Sequence, residues 1–482
     1  MTRQVTEFLL YRWRYILGYM LVGAVLGILL ILAGLYAPGG ITTSEMSIAV
    51  RSSLVSYDHF DPSMIVNLPY SLLQKAIFST FGVTLLSIKI PSLIIGFLSI
   101  FGLLPLFILW FRQNVAIITI GLIITTGQFL FIAQSGTPGI MFIFYAVWIL
   151  LAATMLSRRA RFPILWKILL FVLVALSLYT PLSIYMIVAL AVAAALHPHL
   201  RYLIRRLPPT QVAIAATLSV IIFAPLGYAL LKDPSTSLLL LGIPSAWPSL
   251  ADNLTSLLRQ YFDFTTPHSG VVIAPVYGMG SMALILLGIF RLFTVKYTAR
   301  SYIIGIWFLF IIPVVILSPK YANILFVPMA LLLAMGVRTL IIYWYQLFPR
   351  NPYARIVGLI PLTILIASMT ISGAERYMYG YHYDPMIARN FSQDIQLVNN
   401  QSPKYKSITL VVSGDEKPFY DVLAKYNSKF IVEQSFPSNN TAVLVSKDVR
   451  FLAPLSQEPD QIITDRQSTD SNRFYLYKNG LE

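Results

Sequence analysis

Eleven apolar runs separated by short polar stretches dominate the first 373 residues of the chain, near 15–37, 90–111, 115–133, 139–156, 164–178, 182–196, 212–231, 278–293, 302–317, 324–345 and 356–371. A helix that crosses a bilayer needs roughly 20 apolar residues. The pattern therefore predicts a polytopic α-helical membrane protein with about eleven spans. The fifth and sixth runs are short and joined only by Tyr179-Thr180-Pro181, so they read equally as one broken hairpin.

Charge then orients these spans. Arg3, Arg12, Arg14, Arg112, Arg158, Arg159, Arg161, Arg201, Arg205, Arg206, Arg291, Lys296, Arg300, Arg350 and Arg355 fall in loops on one side. The opposite loops hold Arg51, Lys75, Lys89, Lys232, Arg259 and Lys320. The bias toward positive cytoplasmic loops places the N-terminus inside, and an odd number of spans places the C-terminal segment outside. The expected location is the plasma membrane. Of the acidic residues before Gly373, all but Glu7 fall in two long outer loops, 38–89 and 232–277. No carboxylate sits inside a span, which disfavours an ion-coupled transporter.

Composition agrees with a membrane protein. The chain is 57% hydrophobic and 11% charged, against about 25% charged in soluble domains. Its net charge of +15 is scattered over short loops, which excludes a nucleic-acid-binding surface. With no cysteine, disulfides and thiol chemistry are excluded.

The outer loops carry helical patterns. Thr43 or Ser44 is placed to cap a helix from Glu45 to about Leu54, and Pro69 to open another through Phe78. Trp247 precedes an amphipathic helix over 251–261. Residues 374–482 hold thirteen of the twenty acidic residues. Strand patterns at 407–413, 430–433, 442–446 and 474–477, with a helix at 417–426, predict a small α/β domain there. The predicted domains are thus a transmembrane part, 1–373, and an extracytoplasmic part, 374–482.

Ordered pieces of the first outer loop carry a family resemblance. They are Ser44-Glu45, then Leu68-Pro69-Tyr70-Ser71-Leu72-Leu73, Phe81-Gly82 and Lys89-Ile90-Pro91-Ser92, with Ser318-Pro319-Lys320-Tyr321 later. Over roughly residues 10–345 the chain resembles the GT-C membrane glycosyltransferases of the protein O-mannosyltransferase and aminoarabinose-transferase type. That resemblance implies GT-C-like architecture and an inverting transfer of a sugar at the outer membrane face. The donor is a polyprenyl-phosphate sugar; the acceptor is a lipid, glycan or protein. It implies no certain cofactor. Where the family carries an Asp-Glu pair, this chain has Ser44-Glu45. Glu45 is then the candidate base or acceptor-positioning group, with Asp58 and Asp61 as alternatives. Arg51, Lys320, Tyr321 and Lys89 are the candidates for phosphate contact, as the departing phosphate needs a cation.

Each residue also has a plainer reading. Glu45 suits the first turn of a helix, where the dipole favours an acid. Asp58 and Asp61 suit turns. Lys89 and Lys320 suit snorkelling anchors. Asp58-His59-Phe60-Asp61 leaves a divalent metal unsupported, because two carboxylates and one histidine at this spacing are a poor ligand set. The competing functions are a non-catalytic membrane scaffold or sensor that presents the outer domain, and a lipid or solute transporter.

Overall fold

The computed structural model describes residues 13–478, except 57–60, 159–160, 245, 265–272, 274, 296–297, 348–351, 438–441, 454–457 and 466–471. Asp58 of the candidate site and the loop residues Arg3, Arg12, Arg159, Lys296 and Arg350 lie outside the described residues.

Every apolar run falls on a helix or a bent helix pair. Among the described residues, seven helices are long and apolar enough to cross a membrane: Ile16–Leu35, Leu85–Trp110, Gly139–Ser157, Pro209–Lys232, Ala299–Leu317, Pro319–Leu347 and Leu359–Tyr383. Two bent pairs raise the number to nine, Gln113–Ile124 with Gly127–Gln134 (65°) and Ser183–Leu196 with Pro198–Arg205 (95°). Pro163–Ser177 and Met279–Thr294 are shorter apolar helices. The Tyr179-Thr180-Pro181 stretch joins two separate helices, and Leu182, with φ +67°, turns the chain between them.

The loops gather at two ends of the bundle. At one end, Arg158 and Arg300 donate to the carbonyls of Leu109 and Trp110. At the other, the Asn67 N–H donates to Tyr179 (2.8 Å) and the Leu182 N–H to Leu240 (2.8 Å). There too, Tyr261 Oη donates to the Ala322 carbonyl (3.2 Å). Both long loops predicted as outer thus share one face.

That face is built from short helices. The first runs over Thr43–Leu54, and its cap is Thr42 rather than Thr43 or Ser44. Thr42 is extended (φ −85°, ψ 162°), and Glu45, three residues on, closes a capping box with it. The second, Leu68–Phe81, follows Asn67 in the left-handed region. Ser235–Leu241 and Leu250–Phe262 form the second loop.

The C-terminal part is a five-stranded mixed sheet: β1 (Ile408–Val411), β2 (Phe430–Glu433), β3 (Ala442–Ser446), β4 (Gln461–Thr464) and β5 (Asn472–Lys478). Their order is β2-β1-β3-β5-β4. β1 pairs in parallel with β2 and β3; β5 pairs antiparallel with β3 and β4. The helix Lys417–Tyr426 packs Phe419, Tyr420, Val422 and Leu423 into the sheet's core. β4 has no counterpart in the sequence reading. It is an edge strand in which only Ile463 is buried, so its alternation is too weak to see without its partner.

This domain docks on the outer helices. Ile41 and Ser392 exchange two backbone hydrogen bonds (2.9 and 2.8 Å). Lys425 Nζ reaches the Ser53 carbonyl (2.8 Å), and Asn399 the Val83 carbonyl (3.2 Å). Inside the domain, Arg473 grips both oxygens of Asp394 (2.9 and 2.8 Å) and also donates to Glu416. Burial works against its charge, but Asp394 and the neighbouring Tyr420 and Glu416 outweigh it and hold the guanidinium above its ordinary range. Arg473→Met strands the buried Asp394 charge, and we expect it to cost the domain about 3 kcal/mol. Amide exchange of β3 and β5 checks this: protection unchanged from wild type would refute it.

Candidate active site

The Thr43–Leu54 helix turns Glu45, Ala49, Ser52 and Ser53 inward, the spacing of one helical face. Glu45 is wholly buried, and both its oxygens are engaged. Oε2 accepts from the Thr42 N–H (2.7 Å) and Thr42 Oγ1 (3.1 Å). Oε1 accepts from the Gly136 N–H (2.6 Å). The carboxylate therefore ties the start of the outer helix to the 135–138 turn between two apolar helices. Gly136 suits this contact because a Cβ there would lie 2.7 Å from Ile88 Cγ2 and 2.8 Å from the Ile88 carbonyl oxygen. Ser44, in contrast, is exposed.

Lys89 sits beside this knot. It is 0% exposed, which rules out the snorkelling reading, and its Nζ donates to Gln134 Oε1 (2.5 Å). The Lys89 and Glu45 charges attract one another without forming an ion pair. Ser92 Oγ donates to the Thr137 carbonyl (3.2 Å) and shares a hydrogen bond with Tyr70 Oη (2.9 Å). Burial, reinforced by the Glu45 charge and opposed by Ser92, pushes the Tyr70 hydroxyl well above its ordinary range. Residues 134–137 are thus clamped at three points by Lys89, Glu45 and Ser92.

The remaining candidates form two neighbouring groups. Arg51 donates to the Ser63 carbonyl (2.8 Å), while Asp61 Oδ1 accepts from the Ser63 N–H (2.9 Å). Burial lowers the Arg51 guanidinium from its ordinary range, and the Asp61 charge partly restores it. Asp61 is exposed. Lys320 is exposed and lies 4.9 Å from the centre of the Tyr321 ring. Its turn reaches the clamp through Asn323, whose Nδ2 donates to the Gly139 carbonyl (3.3 Å). Glu45 with Lys89, Arg51 with Asp61, and Lys320 with Tyr321 are therefore three groups on one face, joined through backbone.

Two cavities open beside them. A cleft of about 720 Å³ separates the Thr43, Met46, Ser47 and Val50 face of the outer helix from Asp394, Asp415, Glu416, Asp465 and Arg473 of the C-terminal domain. A cavity of about 310 Å³ lies at the break between Ile124 and Gly127, against Ser368, Ser372 and Arg376 of the last long helix. None of the described candidate residues lines either cavity. Arg376 escaped the sequence reading because that span was ended at Ile371. Its signal was the 368, 372, 376 spacing, which puts two serines and an arginine on one helical face.

Together the helical bundle, the helical first outer loop and the docked C-terminal sheet define a multi-pass membrane protein whose fold is shared by solved structures of an aminoarabinose transferase and an archaeal oligosaccharyltransferase. Among solved structures the chain is similar to ArnT of Cupriavidus metallidurans, an aminoarabinose transferase. With its undecaprenyl-phosphate-bound form it shares 14% identity and a TM-score of 0.54, over 96% of this chain and 98% of that one. With the apo form it shares 13% identity and a TM-score of 0.53, over 95% and 97%. It also resembles the Archaeoglobus fulgidus oligosaccharyltransferase tethered to an acceptor peptide with the NVT sequon, at 13% identity and a TM-score of 0.50, over 87% of this chain and 64% of that one. No protein-family model matches the chain, and no curated protein matches it.

Proposed function

We propose that the chain is a glycosyltransferase that moves a sugar from a polyprenyl-phosphate donor to a lipid, glycan or protein acceptor at the extracytoplasmic face of the plasma membrane. The observation that carries this reading is the likeness, over nearly the whole chain, to a transferase solved with undecaprenyl phosphate. In the reaction an acceptor hydroxyl attacks the sugar's anomeric carbon from the face opposite the phosphate. The carbon–oxygen bond to phosphate breaks, the configuration inverts, and the hydroxyl proton passes to a base. The sheet domain that follows the Leu359–Tyr383 span stands outside the membrane and covers the site.

Within this reading Glu45 acts as a positioning group, since both its oxygens already hold backbone or hydroxyl donors. A base must reach the proton it removes. Asp61, exposed on the same face, is the base in this reading, with Asp58 as the alternative. Lys320, Tyr321 and Arg51 remain the outer-face contacts proposed for phosphate, with Lys89 acting through Gln134.

The engagement of Glu45, with Ser44 in the family's aspartate position, favours a second reading, a non-catalytic scaffold. Sugar transfer from a radiolabelled polyprenyl-phosphate sugar panel separates the two. Membranes with wild-type protein should consume one donor, and Asp61→Asn should slow transfer by about a hundred-fold or more, the usual contribution of a general base. No donor consumed by wild type puts the scaffold reading ahead. Full activity in Asp61→Asn removes Asp61 from the role.

A further inference from the structure

We infer that the end of the bundle opposite the outer loops binds the headgroup of an anionic phospholipid between Arg158, Arg300 and Arg338. This site lies at the other membrane face from the proposed sugar transfer and does not depend on it.

Three cations from three helices meet there. Arg158 and Arg300 donate to the successive carbonyls of Leu109 and Trp110. These carbonyls end the Leu85–Trp110 helix, where the helix dipole is negative. The Arg300 guanidinium also lies 5.4 Å from the centre of the Phe111 ring. Arg338 belongs to the Phe326–Leu347 helix, and its charge and that of Arg158 both repel Arg300.

The protein supplies no carboxylate to balance them. Among the described residues, none of the three forms an ion pair. No Asp or Glu occurs between Asp61 and Asp233 or between Asp263 and Glu375, the two stretches that carry all three arginines. A helix end offers only about half a charge. Like charges held together beside a low-dielectric interior cost free energy, and an anion from outside the chain relieves that cost.

Donors remain for such an anion. A guanidinium has more N–H groups than one carbonyl can take, and its fork matches phosphate oxygens. Arg338 is exposed and donates to none of the described residues. The helix Gln113–Ile124 begins just past Phe111 without a side-chain cap, so its first backbone N–H groups add donors of the same sign.

The setting selects a lipid over a free anion. On the helix that carries Arg338, residues 330–337 are all buried, whereas Arg338 and Ile342, one turn on, are exposed. Residues four apart share a helical face, so the Arg338 face looks out of the bundle into lipid. Tyr343, Trp344 and Tyr345 follow, the aromatic signature of a membrane–water boundary. Arg338 therefore sits at headgroup depth. In the orientation set by the basic loops this is the cytoplasmic leaflet, where anionic lipids attract basic clusters.

The test is binding of phosphatidylglycerol and phosphatidylcholine with the same acyl chains to full-length protein in neutral detergent, read by native mass spectrometry. Wild type should prefer phosphatidylglycerol. Arg338→Gln should lower that preference about five-fold, the value of one basic residue near an anionic surface, and Arg338→Lys should keep most of it. Arg338→Gln breaks no hydrogen bond to a described residue, so its lipid-free melting temperature should match wild type. Arg259→Gln, which removes one charge from the outer helix Leu250–Phe262, should keep the wild-type preference. Equal binding of the two lipids by wild type overturns the site, as does a full preference in Arg338→Gln. An equal loss in Arg259→Gln assigns the effect to net charge and overturns it too. Release of phosphatidylglycerol by millimolar inorganic phosphate makes this a free-anion site and overturns the lipid assignment.

Discussion

Gly336→Ala and Gly288→Ala are each expected to destabilise the detergent-solubilised protein by about 3 kcal/mol or more, the upper range for overpacking. The helices Met279–Thr294 and Phe326–Leu347 touch backbone to backbone at these two positions. A Cβ at 288 would lie 2.0 Å from the Leu332 carbonyl oxygen, and one at 336 would lie 1.9 Å from the Leu284 carbonyl oxygen. Carbonyls inside helices cannot rotate away, so the helices must part and forfeit the packing that holds membrane helices together. Gly305→Ala is the internal control. It is also helical, nothing lies within 4 Å of its Cβ position, and alanine there should be neutral or mildly stabilising. Thermal unfolding of the three variants decides the matter. If Gly336→Ala melts with Gly305→Ala, the close crossing is wrong.

Glu45→Ala carries the second large effect, a loss of about 3 kcal/mol or more. It strands the Thr42 and Gly136 N–H groups in a buried site, at about 1–3 kcal/mol each. Glu45→Gln should fall between Ala and wild type. Its single carbonyl oxygen can accept from Thr42 or from Gly136, and its amide then meets the other donor. Gly136→Ala attacks the same contact from the far side and should resemble Glu45→Ala. A residue that only took a proton would behave otherwise, since Glu45→Gln would then lose transfer while melting like wild type. Measured together, melting temperature and transfer rate separate a positioning group from a base.

The outer-face chemistry was only partly legible along the chain. Glu45 stood out because carboxylates are scarce before residue 373 and it opens a helix. Nothing in its neighbourhood could say that its oxygens meet Gly136, 91 residues away. Lys89 looked like an interfacial lysine, since a basic residue at a span end reads the same whether it faces lipid headgroups or Gln134. The Arg473 grip on Asp394 joins residues 79 apart, and β4 exists because β5 is there to pair with it.

What the sequence determined by itself was local. Runs of apolar residues long enough for a bilayer form helices wherever they are placed, because hydrocarbon leaves the backbone no other partner. The helices at 43–54 and 417–426 and the strands at 408–411, 430–433 and 442–446 likewise follow from their own pattern. The tertiary structure decided everything that depends on two distant segments meeting. Thr42 rather than Thr43 caps the outer helix, because Glu45 is drawn inward to Gly136. Among the described residues, Asp394, Asp415, Glu416 and Asp465 gather opposite the outer helix only because the C-terminal domain docks there. Hydropathy adds up along one chain, whereas a site is a sum over contacts that close only in three dimensions.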